Sequence, residues 1–483
     1  MKERYLTAID LGTSKTAICV AKVQDENVEI IHYGETKAEG IRYGSVLNPM
    51  KALNSFRQAV DGAEKELGIK IKQAIVNLPR YFVQEETATG TIQRSDKESS
   101  ITSEEITNLK NIALDEYDVE NEETEMRFCA IAQSFNTDEL AQAMEEDVEG
   151  MVSPILAGNF KVYIGNRRSY NNIDKVFNDA EVAVAKKYFT PETTARIVLT
   201  REEMDNGVAL IDMGAGVTSV SVFSKGILRH YASIPFGGNS ISADIKSECA
   251  FSDILAENIK LAYGNCMPDK LANMSEKIIK IDYFGANPEK ELPLRYLSEI
   301  IEARQKEIIE AMLYEIQESG YADELRNGVV VTGGAAGMTD IQNLIKNLSG
   351  YNVRVGYSLP VFSADVCLDS KSLAATSCIG MIMAAKKDMI CSCIEDVPVI
   401  RRQTEEEKGA ETGPKEKKLA EGGSEDGTLF GDGGIEETAN KEAKPNKKDT
   451  RKDGTKKNLI WSRVKTTASN LFETFIDDKQ STL

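Results

Sequence analysis

The sequence predicts an α/β protein of two similar lobes, followed by a flexible linker and a terminal amphipathic helix. Three observations carry this. One strand–turn–strand design occurs twice, about 200 residues apart, over residues 5–20 and 208–222. Further strand-like and then helix-like periodicity follows each copy. Near residue 396 the composition turns polar and charged, and apolar periodicity returns only at Leu459.

The first copy is Asp10-Leu-Gly12-Thr13-Ser14-Lys15 between two apolar runs, and the second is Asp212-Met-Gly214-Ala215-Gly216-Val-Thr218. Two apolar runs joined by a short glycine-bearing turn make a β-hairpin. Glycine lets backbone N–H groups approach an anion closely, and the hydroxyls of Thr13 and Ser14 can donate to phosphate. Lys15 supplies a point charge, and Asp10 suits a magnesium ion that keeps much of its water. A single copy reads rather as an ordinary hairpin with an Asx-type turn, and the second copy changes that. Two copies facing each other can clamp a phosphate chain from both sides. A third glycine motif, Thr332-Gly333-Gly334-Ala335-Ala336-Gly337, follows a strand and precedes helix-like residues 340–348. Such a turn lets a flat base lie against the backbone. Residues 48–67, 191–199 and 297–317 have helical spacing, and 72–78 read as a strand.

With 483 residues, there is room for two to four domains at roughly 100–200 residues each. The net charge of -19 argues against nucleic acid as a partner of the body. The eight cysteines form no CxxC pair, so neither a disulfide framework nor a zinc cage is expected. Cys391-Ser-Cys393 has no histidine pair to complete it, since His32 and His230 are the only histidines. The N-terminus lacks the apolar stretch of a signal peptide. No run reaches the roughly 20 apolar residues that span a bilayer. The longest, 373–385, is interrupted by Thr376, Ser377 and Gly380. The expectation is a reducing, cytoplasmic setting.

The three glycine motifs, in this order, resemble the two phosphate loops and the adenosine motif of the actin, Hsp70 and sugar kinase superfamily. Within it the chain is most similar to the bacterial cell-division FtsA family. The resemblance rests also on Ala74-Ile-Val-Asn-Leu-Pro79, Glu149-Gly-Met-Val-Ser-Pro154, Pro235-Phe-Gly237-Gly238 and Ala256-Glu257-Asn-Ile-Lys260. It implies an actin-like two-lobed ATPase fold with an inserted subdomain of the family's 1C type. The implied division is 1–82 with 169–206 (subdomain 1A), 83–168 (1C), 207–235 with 321–390 (2A), and 236–320 (2B). A disordered linker, 396–456, and an amphipathic helix, 457–476, complete it.

The resemblance implies ATP with magnesium between the lobes. The implied nucleotide contacts are Asp10, Gly12, Thr13, Ser14, Lys15, Asp212, Gly214, Ala215, Gly216, Thr218, Gly237, Gly238, Glu257, Lys260, Gly333, Gly334 and Ala335. Asp10 and Asp212 would hold the metal through water. From spacing alone, Glu257 and Lys260 read rather as a solvated i, i+3 pair, and it is the resemblance that turns them toward the nucleoside. Many members carry Thr and Asp beside the place of Thr218, where this chain has Val217 and Ser219. That departure bears on hydrolysis more than on binding, so at most weak ATPase activity is expected and no catalytic residue is named. The implied role is an adaptor on the cytoplasmic side of the inner membrane, at the division septum. Its partners would be the tubulin-like protein FtsZ, other division proteins and further copies of itself. A sugar-kinase-like enzyme and an Hsp70-like chaperone are the alternatives, and neither calls for the tail.

That tail begins acidic (Glu405 to Glu437) and turns basic (Lys441 to Lys457). It has too few apolar residues to offset the entropy of ordering. Beyond it, Ile460, Trp461, Val464, Leu471, Phe472 and Phe475 recur at helical spacing with Arg463 and Lys465 beside them. This is the pattern of an interfacial helix drawn to anionic lipid. A helix docking on the chain's own body or on a partner would share the pattern. The long linker favours something outside the fold.

Overall fold

The computed structural model describes residues 3–274, 277–281, 290–364, 368–369 and 371–395. The expected linker and terminal helix, with Ile460, Trp461, Val464, Leu471, Phe472 and Phe475, lie outside these residues.

The repeated design is present as two sheets of one plan. In the first, Arg4–Leu11, Lys15–Gln24 and Asn27–Lys37 form an antiparallel meander, and Gln73–Asn77 and Ala183–Tyr188 add in parallel beside Arg4–Leu11. The short strand Ser363–Ala364 closes the far edge. In the second, Val208–Met213, Thr218–Ser224 and Ile227–Ile234 form the meander, with Val329–Thr332 and Val353–Val355 parallel beyond it. Val208–Met213 and Thr218–Ser224 are buried at every position. Continuous burial of this kind requires cover on both faces of a sheet.

Helices supply the cover. Pro49–Leu67 starts where the Asn48 side chain accepts from Lys51 N at 3.1 Å, has proline in its first turn, and ends at Gly68 in the left-handed region. Its Ala52, Phe56, Ala59 and Val60 face the first sheet, and Phe56 meets Phe177 of helix Arg167–Asp179 edge-on at 4.8 Å. The 25-residue helix Leu294–Glu318 buries Leu297, Ile301, Ile308 and Ile309 in the second lobe. Gly380, one of the interruptions in the longest apolar run, has a packing reason. Helix Thr376–Lys387 crosses helix Thr190–Val198 so closely that a Cβ at Gly380 would lie 2.7 Å from Thr193 O. Among the described residues no helix is long and apolar enough to cross a membrane.

Strands Gln84–Gln93, Glu125–Asn136 and Ile155–Asn166 form a separate sheet. Helix Ser103–Asp115 packs on it through Ile106, Leu109 and Ala113. A reciprocal Thr102–Glu105 capping box starts this helix. The sheet joins the second lobe through a polar network around Glu85, whose Oε2 accepts from Tyr163 Oη (3.1 Å) and Tyr231 N (3.0 Å). Lys161 pairs with Glu85 and donates to Arg229 O. His230 lies 3.8 Å from Glu85 and 3.5 Å from Glu315, ion-pair contacts at the long end of the range.

Burial would lower the His230 pKa, but the two carboxylates outweigh it and raise it from 6.5 to about 9. Burial would raise that of Glu85, but His230 and Lys161 hold it below 4.5. The histidine's contribution is therefore complete below about 6.5 and lost as pH rises through about 9. The glutamate's is lost only in acid. His230→Gln is expected to lose at most roughly 3 kcal/mol near neutral and mildly acidic pH, and nothing once the wild-type imidazole is neutral. Unfolding midpoints of both proteins across that range check it. A gap that stays constant with pH would place the effect in packing.

Candidate functional site

The two hairpin turns are built alike. Gly12 N donates to Lys15 O at 3.0 Å, and Gly214 N donates to Val217 O at 2.8 Å. A Cβ at Gly12 or at Gly214 would stand 2.8 Å from that acceptor, so each turn requires glycine for close approach. Asn77, at the end of its strand, anchors the first turn by accepting from Leu11 N at 2.7 Å. The turns face each other: a Cβ on Gly216 would stand 2.7–3.0 Å from Thr13 side-chain atoms. Thr13 Oγ1 in turn accepts from Gly44 N at 2.9 Å.

The second turn is tied to the residues after the meander. Gly238 N and Asn239 N, at the start of helix Gly238–Cys249, donate to Gly214 O (3.0 Å) and Ala215 O (2.7 Å). A Cβ at Gly237 would lie 2.4 Å from Gly214 O. Thr218 is wholly buried, and its hydroxyl donates to Phe236 O at 2.9 Å, so it fixes the 236–238 turn. Lys260, on helix Asp253–Tyr263, is only 7% exposed. Its Nζ donates to Gly238 O at 3.0 Å and pairs with Glu257 at 2.8 Å. The Glu257 carboxylate also accepts from Ser242 Oγ. This is a buried lysine that joins two elements, not a solvated surface pair. A Cβ at Gly238 would lie 3.4 Å from Lys260 Nζ and 3.5 Å from the Ala335 methyl. The third glycine turn thus meets the same corner. Gly333 has φ +88°, while Gly334 is exposed, with nothing within 4 Å of where a Cβ would stand.

One wall therefore runs from Gly12–Lys15 past Gly214–Gly216 and Gly237–Gly238 to Lys260 and Gly334–Ala335. Three of the expected side chains are engaged elsewhere. Lys15 pairs with Glu35, 3.3 Å from the Tyr33 hydroxyl, on its own sheet. Thr218 is held as described. Asp212, 8% exposed, pairs with Arg80. Burial raises the pKa of Asp10, although Arg80 and Lys15 pull against it. As a two-carboxylate magnesium seat this set does not fit as it stands, because Arg80 already holds Asp212 Oδ2. Among the described residues no cluster of three or more His, Cys, Asp or Glu could hold a metal. Sequence reasoning missed Arg80 and Asn77. Their partners lie 132 and 66 residues away, and no local pattern announces such pairs.

Paired sheets of one plan, with glycine turns converging between them, define the two-lobed actin-like α/β fold. Among solved structures, a chain of a PilM–PilN type IV pilus biogenesis complex shares this fold. It has a TM-score of 0.56 at 11% identity, covering 79% of this chain and 98% of that one. Residues 209–377 match the family model for cell division protein FtsA. The cell division protein FtsA of Enterococcus faecalis is 31% identical over 369 residues, 75% of this chain and 82% of the relative. That of Neisseria meningitidis is 28% identical over 360 residues, 74% of this chain and 84% of the relative. The chain belongs to the FtsA family of cell division proteins.

Proposed function

We propose that this protein is an ATP-binding division adaptor that ties FtsZ polymers to the inner face of the cytoplasmic membrane and helps recruit later division proteins. The observation that carries the nucleotide part is the meeting of Gly216 with Thr13 from opposite lobes, beside a buried Lys260 and an open Gly334. The turns at Gly12–Lys15 and Gly214–Gly216 would offer backbone N–H groups to the phosphates. Lys260 and Glu257 would face the ribose, and the base would lie along Gly333–Ala335. Magnesium would arrive with the phosphates, held through water by Asp10. The separate sheet over residues 84–166 would serve contacts with other division proteins or with neighbouring copies.

The helix 457–476 would hold the assembly on anionic lipid. Burial of Trp461, Leu471, Phe472 and Phe475 in the interface contributes roughly 1.5–3 kcal/mol each as an upper value. Charge attraction adds about 1 kcal/mol per basic residue and weakens with salt. Wild-type protein is expected to pellet with phosphatidylglycerol vesicles and to carry FtsZ down with it. Phe472→Glu and a truncation after residue 457 should stay in the supernatant while binding ATP normally in calorimetry. Pelleting of the truncated protein would place the membrane contact elsewhere. Absence of ATP binding by the wild type would remove the nucleotide part.

A further inference from the structure

We propose that Arg80 is a specificity-determining residue of this cleft, a tethered cation that occupies Asp212 and so lowers the dependence of nucleotide binding on a divalent ion. This rests on the reading of the cleft as a nucleotide site.

Arg80 follows the strand Gln73–Asn77 of the first lobe, yet its guanidinium Nη1 donates to Asp212 Oδ2 of the second. The seat is built from several sides. Gly214 lacks the Cβ that would stand 3.3 Å from Arg80 Nη2. The Arg80 carbonyl accepts from the Tyr231 hydroxyl, which fixes the backbone against the second meander. Both partners are largely buried, with 19% and 11% of their side chains exposed. Asp10 faces the same guanidinium electrostatically.

A guanidinium is always charged and presents five donors in a planar fork, a shape matched to carboxylate and phosphate oxygens alike. Among the described residues Asp212 is the one acceptor hydrogen-bonded to that side chain. The rest of the fork therefore suits an oxygen-rich ligand between Gly12–Lys15 and Gly214–Gly216. A dication on Asp212 would meet a fixed positive charge, so the two compete for one carboxylate. With Arg80 in place, the phosphates already have a cation at the position where a metal would otherwise be required.

Removing the guanidinium leaves the buried Asp212 carboxylate without its hydrogen-bonded counter-charge and with Asp10 nearby, which makes an ion necessary. The test compares wild type, Arg80→Met and Arg80→Lys by two measurements. The first is the unfolding midpoint of the nucleotide-free protein with magnesium chloride or with EDTA. Magnesium alone should leave the wild type unchanged and raise Arg80→Met by several degrees, partly restoring what the substitution loses. The second is the Kd for ATP with and without magnesium. The ratio should be small in the wild type and grow by about tenfold or more in Arg80→Met. If Arg80→Met does not fold in either buffer, Arg80→Lys decides by the same ratio, since a point charge replaces the fork poorly. Equal magnesium effects in wild type and the deciding variant, in both measurements, overturn the proposal. A wild type that binds no ATP removes the nucleotide reading instead, and the midpoint shift with magnesium alone still decides the role of Arg80.

Discussion

Gly334→Glu is expected to lower ATP affinity by about 100-fold or more while leaving the unfolding midpoint where it was. Both halves follow from the local geometry. Gly334 opens the short helix Gly334–Gly337, is exposed, has no positive φ, and has no atom within 4 Å of where its Cβ would stand. The fold therefore accepts a side chain there, at a cost within the usual range of surface changes. A glutamate on that surface would project over the Lys260–Ala335 corner and bring negative charge to the site proposed for ATP. Calorimetry with ATP, paired with a thermal melt, checks it. Unchanged affinity with unchanged melting would mean that the base does not lie on this turn.

The residue before it should behave in the opposite way. Gly333 sits at φ +88°, ψ 160°, a region essentially closed to residues with a Cβ. That Cβ would also stand 2.4 Å from Asp212 Oδ1 and 2.6 Å from Met213 O. Neither obstacle is the free end of a flexible chain, since Asp212 is buried and paired and Met213 O is backbone. Gly333→Ala is expected to cost about 3–5 kcal/mol, combining backbone strain with displacement of the central strand of the second sheet. The urea midpoint measures it. A midpoint close to the wild type would show that the 333–334 turn rearranges freely. Two adjacent glycines thus separate the demands of the fold from those of the ligand.

Much of this was legible in the chain itself. The hairpins announce themselves through Asp-x-Gly between apolar runs, because the signal is contained in about fifteen consecutive residues. Helix Pro49–Leu67 was readable from its spacing and its Asn-Pro start, and Gly12, Gly214 and Gly216 from the turn chemistry. What escaped depends on distant parts of the chain. The burial of Lys260 against the distant Gly238, whose carbonyl accepts from its Nζ, cannot be read from its helical neighbour Glu257. The hydroxyl of Thr218 looked free for phosphate because its acceptor, Phe236 O, comes into range only when the meander closes. The Glu85–Lys161–His230 network joins three separated strands of modest individual polarity. The Thr102-x-x-Glu105 box was a local signal, present but unused.

The end of the described chain is stitched into the first lobe. Cys393 N donates to Tyr5 O at 2.7 Å, Lys72 N donates to Cys393 O at 2.9 Å, and Glu395 N donates to Lys70 O at 2.9 Å. Arg4 adds bonds to the carbonyls of Lys386 and Ile390, both at 2.9 Å. These bonds run across the chain direction, so a pull on the residues beyond Glu395 would load them side by side, in shear, rather than one after another. The strand Arg4–Leu11 shares that load with residues 70–72, and its far end is Asp10 and the Gly12 turn. Tension applied beyond Glu395 would therefore enter the first lobe through the neighbouring strands Arg4–Leu11 and Gln73–Asn77, which makes this pair a mechanical line toward the Gly12 turn.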